Sequence, residues 1–87
     1  MEINVLKESK DEIEVELEDI TLVEILRVYL NKDSDVIMAV WRRKHPTEKP
    51  ALLVKTKGKT PKKAIKDAIL NITKELDKFN LDFKKLK

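Results

Sequence analysis

Eighty-seven residues, 41% hydrophobic and 40% charged, suffice for one compact domain with a modest core and are too few for two. The absence of cysteine removes disulfide frameworks and thiolate metal sites. The net charge of +3 is unevenly spread: residues 1–41 hold eleven acids against four bases, and residues 42–87 hold five acids against fifteen bases, so any basic contact with an acidic partner or nucleic acid falls to the second half.

Ile3, Val5 and Leu6 predict a short first strand, and Glu8 to Glu12 a polar turn. Ile13, Val15 and Leu17 alternate with Glu12, Glu14, Glu16 and Glu18, a period of two that predicts a strand with one buried face and one solvated acidic face. Thr21 and Glu24 read as a capping box, with Ile20 and Ile25 as its hydrophobic staple, opening a helix that runs to Leu30 or Asn31. Leu22, Ile25, Leu26, Tyr29 and Leu30, with Val23 and Val28 on the flank, give this helix a wider apolar surface than one small sheet requires. Val36 to Trp41 is almost continuously apolar, the pattern of a central strand covered on both sides or of a strand at an interface. His45 to Pro50 predicts a hairpin loop, Ala51 to Lys57 the next strand, and Gly58 its end. Thr60 then caps a long helix with Pro61 at its first position, reaching about Phe83. Its stripe is Ile65, Ala68, Ile69, Ile72, Leu76 and Phe79.

The order β-β-α-β-β-α predicts an α+β two-layer sandwich: a four-stranded sheet, two helices on one face, and residues 1–87 as a single domain. No apolar run approaches a membrane span and Met1-Glu2-Ile3-Asn4 does not open a signal peptide, so a cytoplasmic chain without membrane contact is expected.

Catalytic chemistry has little to stand on. His45 is the one histidine and has no carboxylate placed beside it in sequence; Gly58-Lys59-Thr60 lacks the upstream glycines of a phosphate loop; Asp33 and Asp35 lack the glycine and terminal carboxylate of a calcium loop. No catalytic residue, metal or cofactor is expected. Arg42, Arg43, Lys44, Lys57, Lys59, Lys62 and Lys63 form a candidate basic patch for nucleic acid or a partner, without the interleaved aromatics of a single-strand binder. The surplus apolar surface of both helices suits either pairing with another subunit or packing on the chain's own sheet. A homodimeric scaffold and a stand-alone nucleic-acid-binding module are the competing readings.

Thr21-Leu22 opening a helix that carries Leu26-Arg27, the His45-Pro46 pair, and Lys57-Gly58-Lys59-Thr60-Pro61 leading into Ala64 together resemble the archaeal RNA polymerase subunit L family. That family is the counterpart of eukaryotic polymerase subunit eleven and a relative of the bacterial alpha-subunit dimerisation domain. The likeness runs from Val15 to about Phe79. The chain departs from the family pattern at Ile20, usually histidine, and at Val23 and Glu24, usually glycine or cysteine and asparagine.

The resemblance implies a non-catalytic subunit that pairs with a D-type subunit through both helices. The pair would carry the large catalytic subunits, without direct nucleic-acid contact by this chain. It assigns the pairing surface to Leu22, Ile25, Leu26, Tyr29, Ile65, Ala68, Ile69, Ile72, Leu76 and Phe79, with Arg27 as polar support.

Overall fold

The computed structural model describes residues 3–84, with side chains through residue 78. Its elements are β1 (Ile3–Glu8), β2 (Glu12–Leu17), α1 (Ile20–Asn31), β3 (Val36–Arg42), β4 (Ala51–Thr56) and α2 (Pro61–Lys84). The four strands form one antiparallel sheet in the order β1-β2-β4-β3, and both helices cover one face, giving the expected two-layer α+β sandwich.

Alternation on the central strands builds the core. Ile13 lies opposite Val54 and Val15 opposite Leu52, and these side chains, with Leu17, are buried beneath the helices. Val23, Leu26 and Leu30 of α1 and Ala64, Ile65 and Ala68 of α2 close the layer from above, while Ala39 contributes from β3.

Three local expectations are corrected. The apolar run Val36 to Trp41 is an edge strand, not a central one. The pleat divides it: Ala39 packs into the core and Trp41 against it, whereas Val40 is exposed on the outer face and Ile37, beside a bulge between Val36 and Met38, is 65% exposed. Secondly, α1 begins one residue before the predicted cap. Asp19 is the N-cap and its Oδ1 accepts from the Thr21 N–H at 2.7 Å, while the Asp19 carbonyl accepts from the Val23 N–H. Glu24 is thereby released from a capping box. Thirdly, the acidic face of β2 is not wholly solvated. Glu14, flanked across the sheet by Lys7 and Leu53, is only 8% exposed, because Arg42 reaches from β3 over β4 to bind its carboxylate at 3.1 Å.

Glu14 and Glu16 therefore differ. Glu14→Ala should destabilise the chain by about 0.5–1 kcal/mol through the lost Arg42 pair, and Glu16→Ala by less than about 0.5 kcal/mol. Urea midpoints compared at constant slope check this, and equal midpoints would contradict the role given to Arg42.

The entry to α2 is as the sequence predicts. Thr60 Oγ1 accepts from the Lys63 N–H at 3.2 Å, and the Thr60 carbonyl from the Ala64 N–H. Gly58 turns the chain into it with φ 97°, a conformation that only glycine adopts without strain.

Candidate functional site

The two helices divide their apolar residues into those that close the chain's own core and those left along its rim. Of the residues assigned to a pairing surface, Leu26, Ile65 and Ala68 are buried in the core. Their burial has a packing reason. The small side chains of Ala64 and Ala68 bring α2 close to its neighbours, so its buried face centres on Ala64, Ile65 and Ala68. One and two turns further on, Ile69 and Ile72 are half-buried at the edge of the core. From Thr73 to Lys78 every side chain is exposed, and Leu76, which continues the stripe, is 58% exposed.

On α1, Leu22 and Tyr29 are likewise half-buried against the core, and Ile25 and Val28 are exposed. The predicted pairing residues that stay exposed or half-buried are thus Leu22, Ile25 and Tyr29 with Ile69, Ile72 and Leu76. Phe79 belongs to the predicted stripe, and its side chain lies outside the described residues. Leu70 is exposed but points away from that stripe by helical spacing.

Polar contacts tie the helices to their neighbours. Arg27 grips Glu24 with two hydrogen bonds of 3.0 Å, and the Trp41 indole N–H donates to the same carboxylate. The Arg27 bonds first, then that of Trp41, hold the Glu24 carboxyl below its ordinary range; Glu24 in turn raises Arg27. The departures from the family pattern thus have local uses: Val23 fills core and Glu24 ties α1 to β3. Between the helices, the Tyr29 hydroxyl donates to Glu75, which raises the Tyr29 pKa.

The basic residues do not form one patch. Arg42 pairs across the sheet with Ala51 and Val36 with Thr56, so Arg42, Arg43 and Lys44 lie at one end of the sheet and Lys57 at the other, about 20 Å away by strand rise. Several are already engaged: Arg42 with Glu14, Lys62 with Glu8 at 3.3 Å, and Lys59 with Asp33 and Asp67. Lys59, expected in an exposed basic patch, is instead enclosed by acids. Its side chain is 17% exposed, with Nζ 2.8 Å from Asp67 and also on Asp33. The only sequence signal was an acid two turns into the following helix.

Asp33 is held below its ordinary pKa first by the Lys59 hydrogen bond and then by the Asp35 backbone N–H, while Asp33 and then Asp67 push Lys59 up to about 12. The stability contributed by Asp33 is fully present above about pH 4 and is lost as pH falls through its lower folded value. That of Lys59 is present below about pH 10.5 and is lost as pH rises through about 12. Asp33→Asn should therefore lower neutral-pH stability and flatten the loss of stability between about pH 5 and pH 2. Denaturant midpoints across that range test this; curves parallel to wild type would contradict it.

A cleft of about 490 Å³ lies between α1 and α2, lined by Tyr29, Lys32, Asp33, Lys59, Asp67 and Asn71 among others. It holds no nucleophile with an adjacent base. Among the described residues no three His, Asp or Glu side chains converge as a metal site requires, and no helix is long and apolar enough to cross a membrane. His45 sits exposed in the β3–β4 connector.

These features define a class: a two-layer α+β domain with both helices on one sheet face and an apolar rim left open. The profile of the RNA polymerase Rpb3/Rpb11 dimerisation domain matches residues 10–81, and the chain belongs to that family. It is 38% identical over 82 residues to DNA-directed RNA polymerase subunit Rpo11 of Methanosarcina mazei, covering 91% of this chain and 89% of that one. It is also 38% identical over 88 residues to subunit Rpo11 of Methanosarcina barkeri, covering 98% and 96%. Among solved structures it resembles DNA-directed RNA polymerase subunit L from Thermoplasma acidophilum, with a TM-score of 0.86 and 31% identity over 97% of this chain and 86% of that one. The resemblance read from sequence, to archaeal polymerase subunit L, is borne out in family and in fold.

Proposed function

We propose that this chain, a non-catalytic RNA polymerase subunit by family, pairs through α1 and α2 with a D-type polymerase subunit. In this reading residues 1–87 act as one dimerisation domain in the cytoplasm, and the pair is the platform on which the large catalytic subunits assemble. One observation carries the reading: Leu22, Ile25, Tyr29, Ile69, Ile72 and Leu76 remain partly or largely exposed on adjacent helices although the chain's own core is filled. Covering them against a matching apolar face would stabilise both partners, and linkage would couple folding to assembly. The separation and internal pairing of the basic residues disfavour the alternative of a phosphate-binding module.

Titrating the chain with the recombinant D-type subunit from the same genome tests this reading. A one-to-one complex should form, with affinity changing less than about tenfold between about 0.15 and 0.5 M salt, since few phosphate-like contacts are involved. Absence of binding, a stable homodimer that excludes the D-type subunit, or a steep loss of affinity with salt would overturn it.

A further inference from the structure

Among its described side chains, α2 is fully buried only over its first two turns. Its 24 residues extend about 36 Å, and among those whose side chains are described the buried ones are Pro61, Ala64, Ile65 and Ala68, all in the first two turns and mostly small, with Ile69 and Ile72 half-buried beyond them. Beside these turns lies a polar cluster that joins three parts of the fold. Lys59, in the β4–α2 connector, binds Asp33 of the α1–β3 connector and Asp67 of α2. The connectors are further tied by the Lys57 N–H donating to the Asp35 carbonyl at 2.8 Å, and Asp33 is itself oriented by its Oδ1 accepting from the Asp35 N–H at 2.9 Å within the α1–β3 connector. The buried Thr56 hydroxyl donates to the Lys59 carbonyl at 2.6 Å, fixing the backbone from which the lysine springs.

We infer that Lys59 is a positioning residue for assembly: its ammonium, clasped between Asp33 and Asp67, sets the angle at which α2 leaves the sheet and so places Ile69, Ile72 and Leu76 for the partner. This rests on the pairing reading above. The leverage is geometric. Leu76 lies fifteen residues beyond Pro61, about 22 Å along the helix, so a tilt of about 10° at the first turn would displace it by roughly 4 Å, enough to unseat a packed side chain. Further along, the contact between Tyr29 and Glu75 offers one more tie, through two partly exposed side chains that lack the threefold linkage of the lysine cluster.

The absence of cysteine lets spin labels be attached at Thr21→Cys on α1 and Lys78→Cys on α2, both exposed positions. The wild-type background should give a narrow distance distribution between the labels, and Lys59→Met a visibly broader one. Without labels, Lys59→Met should bind the D-type subunit at least tenfold more weakly while remaining folded by circular dichroism, and Lys59→Arg should recover most of the affinity. Should Lys59→Met fail to fold, Asp67→Asn cuts the α2 arm of the clasp and takes its place, with the same broadening and weakening expected. Affinity within twofold of wild type in the folded variant, or weakened binding with an unchanged distance distribution, would overturn the inference. If the wild-type chain itself fails to bind the D-type subunit, the pairing reading falls, and the label distances still decide whether the clasp sets the helix.

Discussion

Leu26→Asp is expected to leave the isolated chain largely unfolded at neutral pH. Leu26 is 2% exposed and packs in the layer where α1 meets the sheet. Truncating a buried leucine costs about 2–5 kcal/mol, and placing an unpaired carboxylate in the space left costs several more, against a total stability for a small domain near the low end of about 5–15 kcal/mol. The loss would be read as collapse of the cooperative thermal transition. Any effect of this substitution on partner binding would come through folding, so Leu26 is a poor probe of an interface even though it lies on the helix that carries one. A native-like melt would mean that the core is not where Leu26, Ile13 and Leu52 put it.

Leu76→Asp should behave in the opposite way. With Leu76 more than half exposed, the free chain should keep its stability within about 0.5 kcal/mol. In a complex that covers the α2 stripe, the same carboxylate would be buried without a partner at a cost of several kcal/mol, which corresponds to a loss of affinity of about a hundredfold or more. Leu70→Asp is the matched control, because Leu70 is as exposed as Leu76 but lies off the stripe; it should bind within about threefold of wild type. Equal losses from both substitutions would indicate a general effect of added charge, and no loss from Leu76→Asp would remove the end of α2 from the pairing face.

The comparison of Leu26 with Leu76 also shows what the sequence can and cannot disclose. Periodicity identified both helices, and Thr60-Pro61 located the start of α2 to the residue, because cap and first-turn chemistry are local. Periodicity does not tell how far a stripe extends past the sheet beneath it, so Leu26, Ile65 and Ala68 were indistinguishable from Ile69, Ile72 and Leu76. The edge position of β3 was hidden for a similar reason: Val36 to Trp41 is apolar on both faces, and strand order depends on pairings that no local pattern records. Glu24 had a plausible capping partner nearby in Thr21, but Asp19 takes the cap and Glu24 turns to Arg27 and to Trp41 on a different element. Lys59 looked like one more surface cation because Asp33 reaches it only through the fold. Charges counted along the chain gave a basic second half; the sheet register separated those charges into two ends and paired several of them.

The most direct test of the central claim is to tag the chain in its native cells, purify it at about 0.5 M salt to suppress phosphate-mediated contacts, and identify bound proteins by mass spectrometry. Pairing through an apolar helical face predicts recovery of the D-type subunit in one-to-one ratio together with the large polymerase subunits, and loss of all of them from the Leu76→Asp chain but not from the Leu70→Asp chain. Recovery of the tagged chain without a D-type subunit would contradict the account.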